Sequence, residues 1–554
     1  MLFGREIVYL KSETYKQKEK YTEMKKILII TLLALFSSKV FANNASDEDV
    51  LYNILKQEVN YYYSHLSKDS IPISFLSFNA LDEKHLNITS DMGYSTIEED
   101  NTRRFFPAIT FKGYKSEDSF IPFSKWYSCS RDLPLDNDTT VIKNVIWNYL
   151  RTIYNEAVSG KKRKGEVEDK RPLIKPEVYY ESPLPANDLD KEKWKAMLNR
   201  LSEIRKDGIP ATCKAILIAE NKRQYIVGSD GTAIAQNHTY YWVTLYASVR
   251  DDNGTECPLY EQYLSYSESE LPGETILHQA MGRLIERANA LSKAPQAEAY
   301  SGPVLFSGEA GGLLFHEVLG HRLERENSEF KSMLGKSVLP SELSVTCNPL
   351  AKDANGVPVC GYYQYDDEGA KAQKVECVKD GILIDFLHSK PQNKDDAPGN
   401  GHGRAEFGNL AMPRQSNLFV ETSHPYTEQQ MREMFIRDLK QCNKEYGYYV
   451  HTVSNGNTTR DINNDRASSF NVFPIETYRI YADGRPDQLV RGVSFIGTPL
   501  AAFSNIKAAG GKAGVFNGAC GARFCRFSHA LCLADGNTMP TGKQEPEKEY
   551  PFRT

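Results

Sequence analysis

A chain of 554 residues is longer than one hydrophobic core normally supports, which predicts two or more domains. With 40% hydrophobic, 25% charged and 11% aromatic residues, the composition is that of an ordinary folded protein and excludes a coiled coil, a repeat array or a disordered chain. A net charge of −5 argues against nucleic acid as a partner, because a phosphate backbone calls for a basic face.

The first hydrophobic feature is MKKILIITLLALFSSKVFANN, beginning at Met24 after a polar leader at residues 1–23. Lys25 and Lys26 form a basic start, residues 27–36 a short apolar run, and Ala42 supplies the small residue that signal peptidase requires. We therefore expect a cleavable signal peptide over residues 24–42 and an exported protein, periplasmic or secreted. The run is too short to span a bilayer comfortably, and no Cys follows it as a lipoprotein would need. Removing residues 1–42 leaves a net charge near −9, and no second long apolar segment predicts a membrane span. All 10 cysteines follow the signal segment, so disulfides are expected in an oxidising compartment; Cys347 and Cys360, flanking a turn-rich segment, form a plausible pair.

Beyond it, DEDVLYNILKQEVNYYYSHL reads as a helix, followed by short apolar runs of mixed character to about Tyr154. The charge-dense stretch at residues 156–172 reads as a surface loop. LDKEKWKAMLNRLSEI carries Trp194, Met197, Leu198, Leu201 and Ile204 at helical spacing, a core-facing stripe. Residues 239–267 read as a hairpin turning on Asn253-Gly254, and a further helix runs from Glu274 to about Leu291, with His278 on it a surface or packing histidine and not a ligand. KAPQAEAYSGP marks the crossing into a second domain. After it β-type signals dominate, with Asp-Gly turns in VECVKDGILIDFLHS and TYRIYADGRPDQLVRGVSFIG, and one helix opened by a Thr427–Gln430 capping box. The expected class is α+β: an α/β N-terminal domain at residues 43–295 and a mostly β C-terminal domain at residues 296–554. Two glycine-rich loops, APGNGHGRAEFGN and AAGGKAGVFNGACG, suit close backbone approach to a site.

The stretch GGLLFHEVLGHRLERE places His316, Glu317 and His321 on an apolar helix. Two histidines with a glutamate are what a zinc hydrolase needs, but the spacing is H-E-x-x-x-H. On a regular helix, residues i and i+5 lie about 140° apart and cannot both face one ion. The spacing thus predicts a local π-type turn near Gly320. If the site forms, His316 and His321 are neutral imidazole ligands, Glu317 sits beside the metal as general base, and a third protein ligand must come from elsewhere. No G-x-S-x-G is present to suggest a serine nucleophile, and His388, His424 and His451 read as ordinary surface or strand residues.

GLLFHEVLGHRLE, GNGHGRAEFGNLAMPRQSN, VRGVSFIGTPLAAFSNIKAAGG and GVFNGACGAR together resemble, in order and spacing, the motifs of the TldD/PmbA family of metallopeptidases. The resemblance extends more weakly back to about residue 188. It implies one zinc per chain held by His316, His321 and Cys520, with Glu317 as catalytic base; Cys525 and His529 are the other donors in the continuation of that loop. It places His402 and Arg404 in a loop near the site, where they could contact substrate or simply shape the loop. It also implies a dimer, of two copies or with a family paralogue, whose internal cavity admits unfolded or short peptides. The family's metal-free TldE subunit lacks the ligands; this sequence keeps them and so resembles the TldD type. The expected function is zinc-dependent hydrolysis of unfolded or small peptides. The alternatives are a non-catalytic scaffold or partner subunit that keeps the helix only structurally, and a dedicated peptide-maturation protease.

Overall fold

In a computed structural model the protein is described over residues 49–111, 130–160, 175–184, 189–324, 329–391, 397–459, 469–519, 526–529 and 533–537. The leader and signal segment lie outside these residues, as do Cys520 and Cys525; of His529 only the backbone is described.

The N-terminal half opens with α1 (Val50–Leu66), capped by the Asp49 carboxylate accepting from Tyr52 N at 3.1 Å. Then follow β1 (Ile73–Asp91), β2 (Tyr94–Phe111), β3 (Arg131–Asp132), α2 (Thr139–Gly160), β4 (Val178–Tyr180), α3 (Lys191–Ser202), β5 (Thr212–Gly228), β6 (Ala233–Arg250), β7 (Glu256–Ser265) and α4 (Glu274–Ser292). The strands make one sheet in the order β3-β2-β1-β5-β6-β4, with β7 also paired to β6, and every pairing but β4–β6 is antiparallel. The expected 239–267 hairpin is β6–β7. The region read as short mixed runs is instead a hairpin of strands 19 and 18 residues long, and helix α2 takes in residues 156–160 of the expected charged loop.

Strand alternation decides what each face of this sheet does. Phe78, Ile88, Leu217, Tyr225, Ala235 and Val243 share one face and are buried there. Helices α1 and α2 cover that face at one end of the long strands, and α3 and α4 cover the same face at the other end. The opposite face, carrying Ile216, Trp242, Thr244 and Tyr246, is left for the C-terminal half.

That half contains β8 (Ser301–Phe306), α5 (Gly308–Val318), β9 (Leu343–Cys347), β10 (Asp353–Ala354), β11 (Val357–Pro358), β12 (Val375–Lys379), β13 (Ile382–Leu383), β14 (Gly403–Arg404), β15 (Met412–Pro413) and β16 (Leu418–Thr422). It continues with α6 (Glu428–Gln441), β17 (Tyr446–Thr459), β18 (Ser469–Tyr481), β19 (Gln488–Val490), β20 (Phe495–Gly497), α7 (Pro499–Ser504), β21 (Phe516–Ala519), β22 (Arg526–His529) and β23 (Leu533–Asn537). Its main sheet runs β19-β18-β17-β8-β23, with β20 on β18, and a four-stranded sheet runs β13-β12-β9-β16. Helix α5 packs its apolar side, Leu313, Leu314, Phe315 and Val318, into the core these sheets enclose. The capping box of α6 is present with both of its hydrogen bonds. Architecture is α+β, as expected.

The pairing expected for Cys347 and Cys360 is not made. Cys347 sits on β9 and its thiol meets that of Cys377 on β12, a hydrogen bond that together with burial pushes the Cys377 thiol well above its ordinary pKa. The Cys360 sulfur lies 3.8 Å from Gly518 O instead, and neither residue forms a disulfide. No helix among the described residues is long and apolar enough to cross a membrane.

Candidate metal centre

Ser307 begins the site. Its side chain caps α5 by accepting from Ala310 N at 3.1 Å and donates to His451 O on β17 at 2.6 Å, fixing the helix against the central sheet. Nine residues on, the helix delivers His316 and Glu317, then stops at Val318.

The distortion that reconciles His316 with His321 is a break, in place of the expected π-type turn. Helix α5 ends at Val318, Leu319 caps it at φ −110° and ψ −50°, and Gly320–Arg322 form a separate 3-10 turn. Arg322, fully buried, stabilises the break by donating to the carbonyls of Glu317 at 2.7 Å and Val318 at 3.0 Å, which the helix end would otherwise leave without partners. Gly320 does something other than ease a bulge: it leaves room for the buried Gln415 amide, whose Oε1 would lie 1.7 Å from a Cβ placed there.

The result brings the three residues together. The His316 and His321 rings are 4.6 Å apart at 68°, and the Glu317 carboxylate lies 3.9 Å from His316 Nε2 and 4.0 Å from His321 Nε2. One donor atom from each falls within 4.8 Å of the others, and all three side chains are buried. Nitrogens bound to one zinc ion are at most about 4 Å apart, and two imidazoles beside a carboxylate are a donor set that suits zinc, so the residues present fit the metal.

Three supporting residues escaped the sequence. Glu324 Oε1 lies 3.2 Å from His321 Nδ1, and Arg414 donates to its other oxygen. Gly456 on β17 lets Glu317 press against the strand, since a Cβ there would meet Glu317 Cγ at 2.6 Å. Glu324 and Arg414 lie inside two of the motifs quoted above, a usable signal for both, whereas nothing local marks Gly456.

The histidines and Glu317 open onto a cavity of about 1940 Å³. One wall is the helix-free face of the N-terminal sheet, with Trp242, Tyr246 and Tyr260; the other is α5, β17 and the glycine loop ahead of β21. That loop does approach closely, because a Cβ on Gly308 would come within 2.2 Å of Gly514 N. Tyr260 joins the walls by donating to Val453 O at 3.0 Å. Glu309, in the first turn of α5, also lines the cavity. Burial raises its pKa to about 7; Arg287 lowers it and Glu476 and Glu261 raise it further.

Neither His402 nor Arg404 lines this cavity. His402 is fully buried between Asn400 O (3.1 Å) and Ser416 Oγ (3.2 Å), and Arg404 lies over the Tyr363 ring while pairing with Asp367 at 2.9 Å. Both shape the loop. Of the other histidines, His451 is a strand residue that lines the cavity, His278 and His424 are exposed, and His388 is buried beside Asp385 instead of lying on the surface.

Residues 299–528 match the PmbA/TldA metallopeptidase C-terminal domain. A metalloprotease of Archaeoglobus fulgidus is 26% identical over 295 residues, 51% of this chain and 61% of that protein. A zinc metalloprotease TldD homolog of Saccharolobus solfataricus is 22% identical over 249 residues, 44% of this chain and 52% of that protein. The chain thus spans between half and two thirds of the length of these relatives. Among solved structures, TldE from Thermococcus kodakarensis superposes with a TM-score of 0.61 at 12% identity, covering 88% of this chain and 99% of that one, a likeness of fold.

Proposed function

We propose that the chain is a TldD/PmbA-type metallopeptidase, a zinc-dependent enzyme that hydrolyses unfolded or small peptides; the match of residues 299–528 to the PmbA/TldA metallopeptidase C-terminal domain and the likeness to named metalloproteases support the reading. The observation that carries the reading is the convergence of His316, Glu317 and His321 at the wall of one large cavity. His316 and His321 would hold one zinc ion per chain, and Cys520, which follows Ala519 in the sequence and lies outside the described residues, would be the third ligand that the family resemblance implies. Zinc, when bound, supplies Lewis acidity toward a water and a peptide carbonyl. Glu317 accepts the proton of the attacking water and returns one to the leaving amine; Gly456 leaves its carboxylate the room to do so. The peptide lies extended between the walls, beside β7, which pairs among the described strands only with β6.

Metal analysis is the first test. Wild type should hold one zinc per chain and His316→Ala, His321→Ala and Cys520→Ser should lose it, whereas Glu317→Gln should keep zinc and lose about 10²- to 10⁴-fold in peptide cleavage. A wild type without metal, with Glu317→Gln silent, would leave the scaffold reading standing. Digestion of a peptide library separates a scavenger from a dedicated maturation protease. We further propose a boundary near residue 295 between two domains, export through the segment at residues 24–42, and a dimer of two copies or with a paralogue. N-terminal sequencing of the mature protein and sedimentation of the purified chain test the last two.

A further inference from the structure

His321 has a carboxylate on each side of its ring. Nε2 faces Glu317 at 4.0 Å, while Nδ1 lies 3.2 Å from Glu324 Oε1. Glu324 is 1% exposed, and its second oxygen accepts from Arg414 Nη1. Arg414 is itself fixed, because its backbone N–H donates to His402 O at 2.9 Å just after β15. On the other side Glu324 follows the 3-10 turn and bridges to Leu387. The carboxylate is therefore pinned from two directions before any metal arrives.

A neutral imidazole has one N–H and one lone pair. Only an N–H can donate to a carboxylate, so Glu324 selects the tautomer protonated at Nδ1 and leaves the lone pair on Nε2, toward Glu317 and the cavity. Arg414 keeps the carboxylate from swinging away and compensates a charge that burial would otherwise make costly.

We propose that Glu324 is a positioning residue whose carboxylate, clamped by Arg414, holds His321 with Nε2 presented to zinc, so that zinc affinity depends on this pair. The inference rests on the zinc reading above, and the experiment separates the two. Zinc ion is titrated into metal-free full-length protein against a chromogenic chelator, with circular dichroism and thermal unfolding of the metal-free form as the fold control. Glu324→Ala should weaken zinc binding about 10- to 100-fold, while Glu324→Gln, which retains an acceptor oxygen, should recover most of that loss. Arg414→Ala should also weaken it, and the Glu324→Ala/Arg414→Ala double variant should be no weaker than Glu324→Ala alone, since the two act through one contact. If Glu324→Ala does not fold, the Glu324→Gln and Arg414→Ala arms decide. Folded variants that bind zinc within about twofold of wild type, or losses that multiply in the double variant, overturn the inference while leaving the zinc reading intact. A wild type that binds no zinc overturns both.

Discussion

His402 and Glu309 show how burial acts in opposite directions on a base and an acid. Burial, offset in part by the Asn400 carbonyl, lowers the His402 pKa from 6.5 to about 4. The unfolded chain then binds a proton that the folded one refuses, so stability is complete above pH 6.5 and is lost as the pH falls through about 4. At about 1.4 kcal/mol per pH unit this amounts to about 3 kcal/mol at most. Denaturant unfolding at pH 7 and pH 5 should show about 2 kcal/mol of that loss in wild type, since pH 5 lies above the folded value, and a flatter profile in His402→Gln. For Glu309 the sign reverses: with a pKa raised from 4.5 to about 7, its contribution is fully present below pH 4.5 and is lost as the pH rises through about 7. Glu309→Gln should match wild type at pH 4 and be the more stable of the two at pH 8. At this scale the sequence disclosed those residues whose chemistry shows in a short window. His316, Glu317 and His321 fall within six positions, whereas Glu324 and Arg414 lie 90 positions apart and meet only through the fold.

Among the elements, the segment from α5 to the 3-10 turn shows what spacing can and cannot say. Helical geometry required a distortion between His316 and His321, but its form depended on what the Arg322 side chain donates to and on Gln415, which reaches the break from a distant part of the chain. Gly320→Ala places a Cβ against the Gln415 amide and should cost about 1–3 kcal/mol in urea unfolding together with a weakened zinc affinity. Ser307→Ala removes the cap at the other end and should cost about 1 kcal/mol without touching the donors. The β1–β2 hairpin was hidden because its central residues are charged. Asp82 pairs with Arg103, and Glu83 with Arg104 and Lys222, across neighbouring strands, so the charges that look like a loop are ladder partners. The two nearby carboxylate–arginine pairs also explain why strand propensity alone gave only short runs.

Taken whole, the molecule joins its two halves by apolar contacts, such as Tyr365 against Ile226 and Ile234, and by polar ties. Arg287 on α4 pairs with the buried Glu476 on β18, and Gln236 on β6 donates to Tyr365 O at 2.8 Å. Arg287→Ala leaves Glu476 with Thr452 as its remaining donor and should destabilise the protein by about 3 kcal/mol, read as a lower urea midpoint. The α+β class and the sequence of elements were legible from periodicity and turns. That the four N-terminal helices all cover one sheet face, freeing the other to wall a cavity, was not, because alternation tells which residues share a face but not what each face meets.

The cavity has contributors as far apart in the chain as Thr89 and Gly518. A ribosome emits the first wall long before the second, and the glycine loop that packs on the start of α5 follows that helix by about 200 residues. An N-terminal sheet that folds on emergence therefore waits, one face uncovered, until the C-terminal half reaches it. The enclosure exists only once both walls have been made, so during synthesis the donors of α5 and the aromatic wall of the N-terminal sheet are present before the chamber between them is.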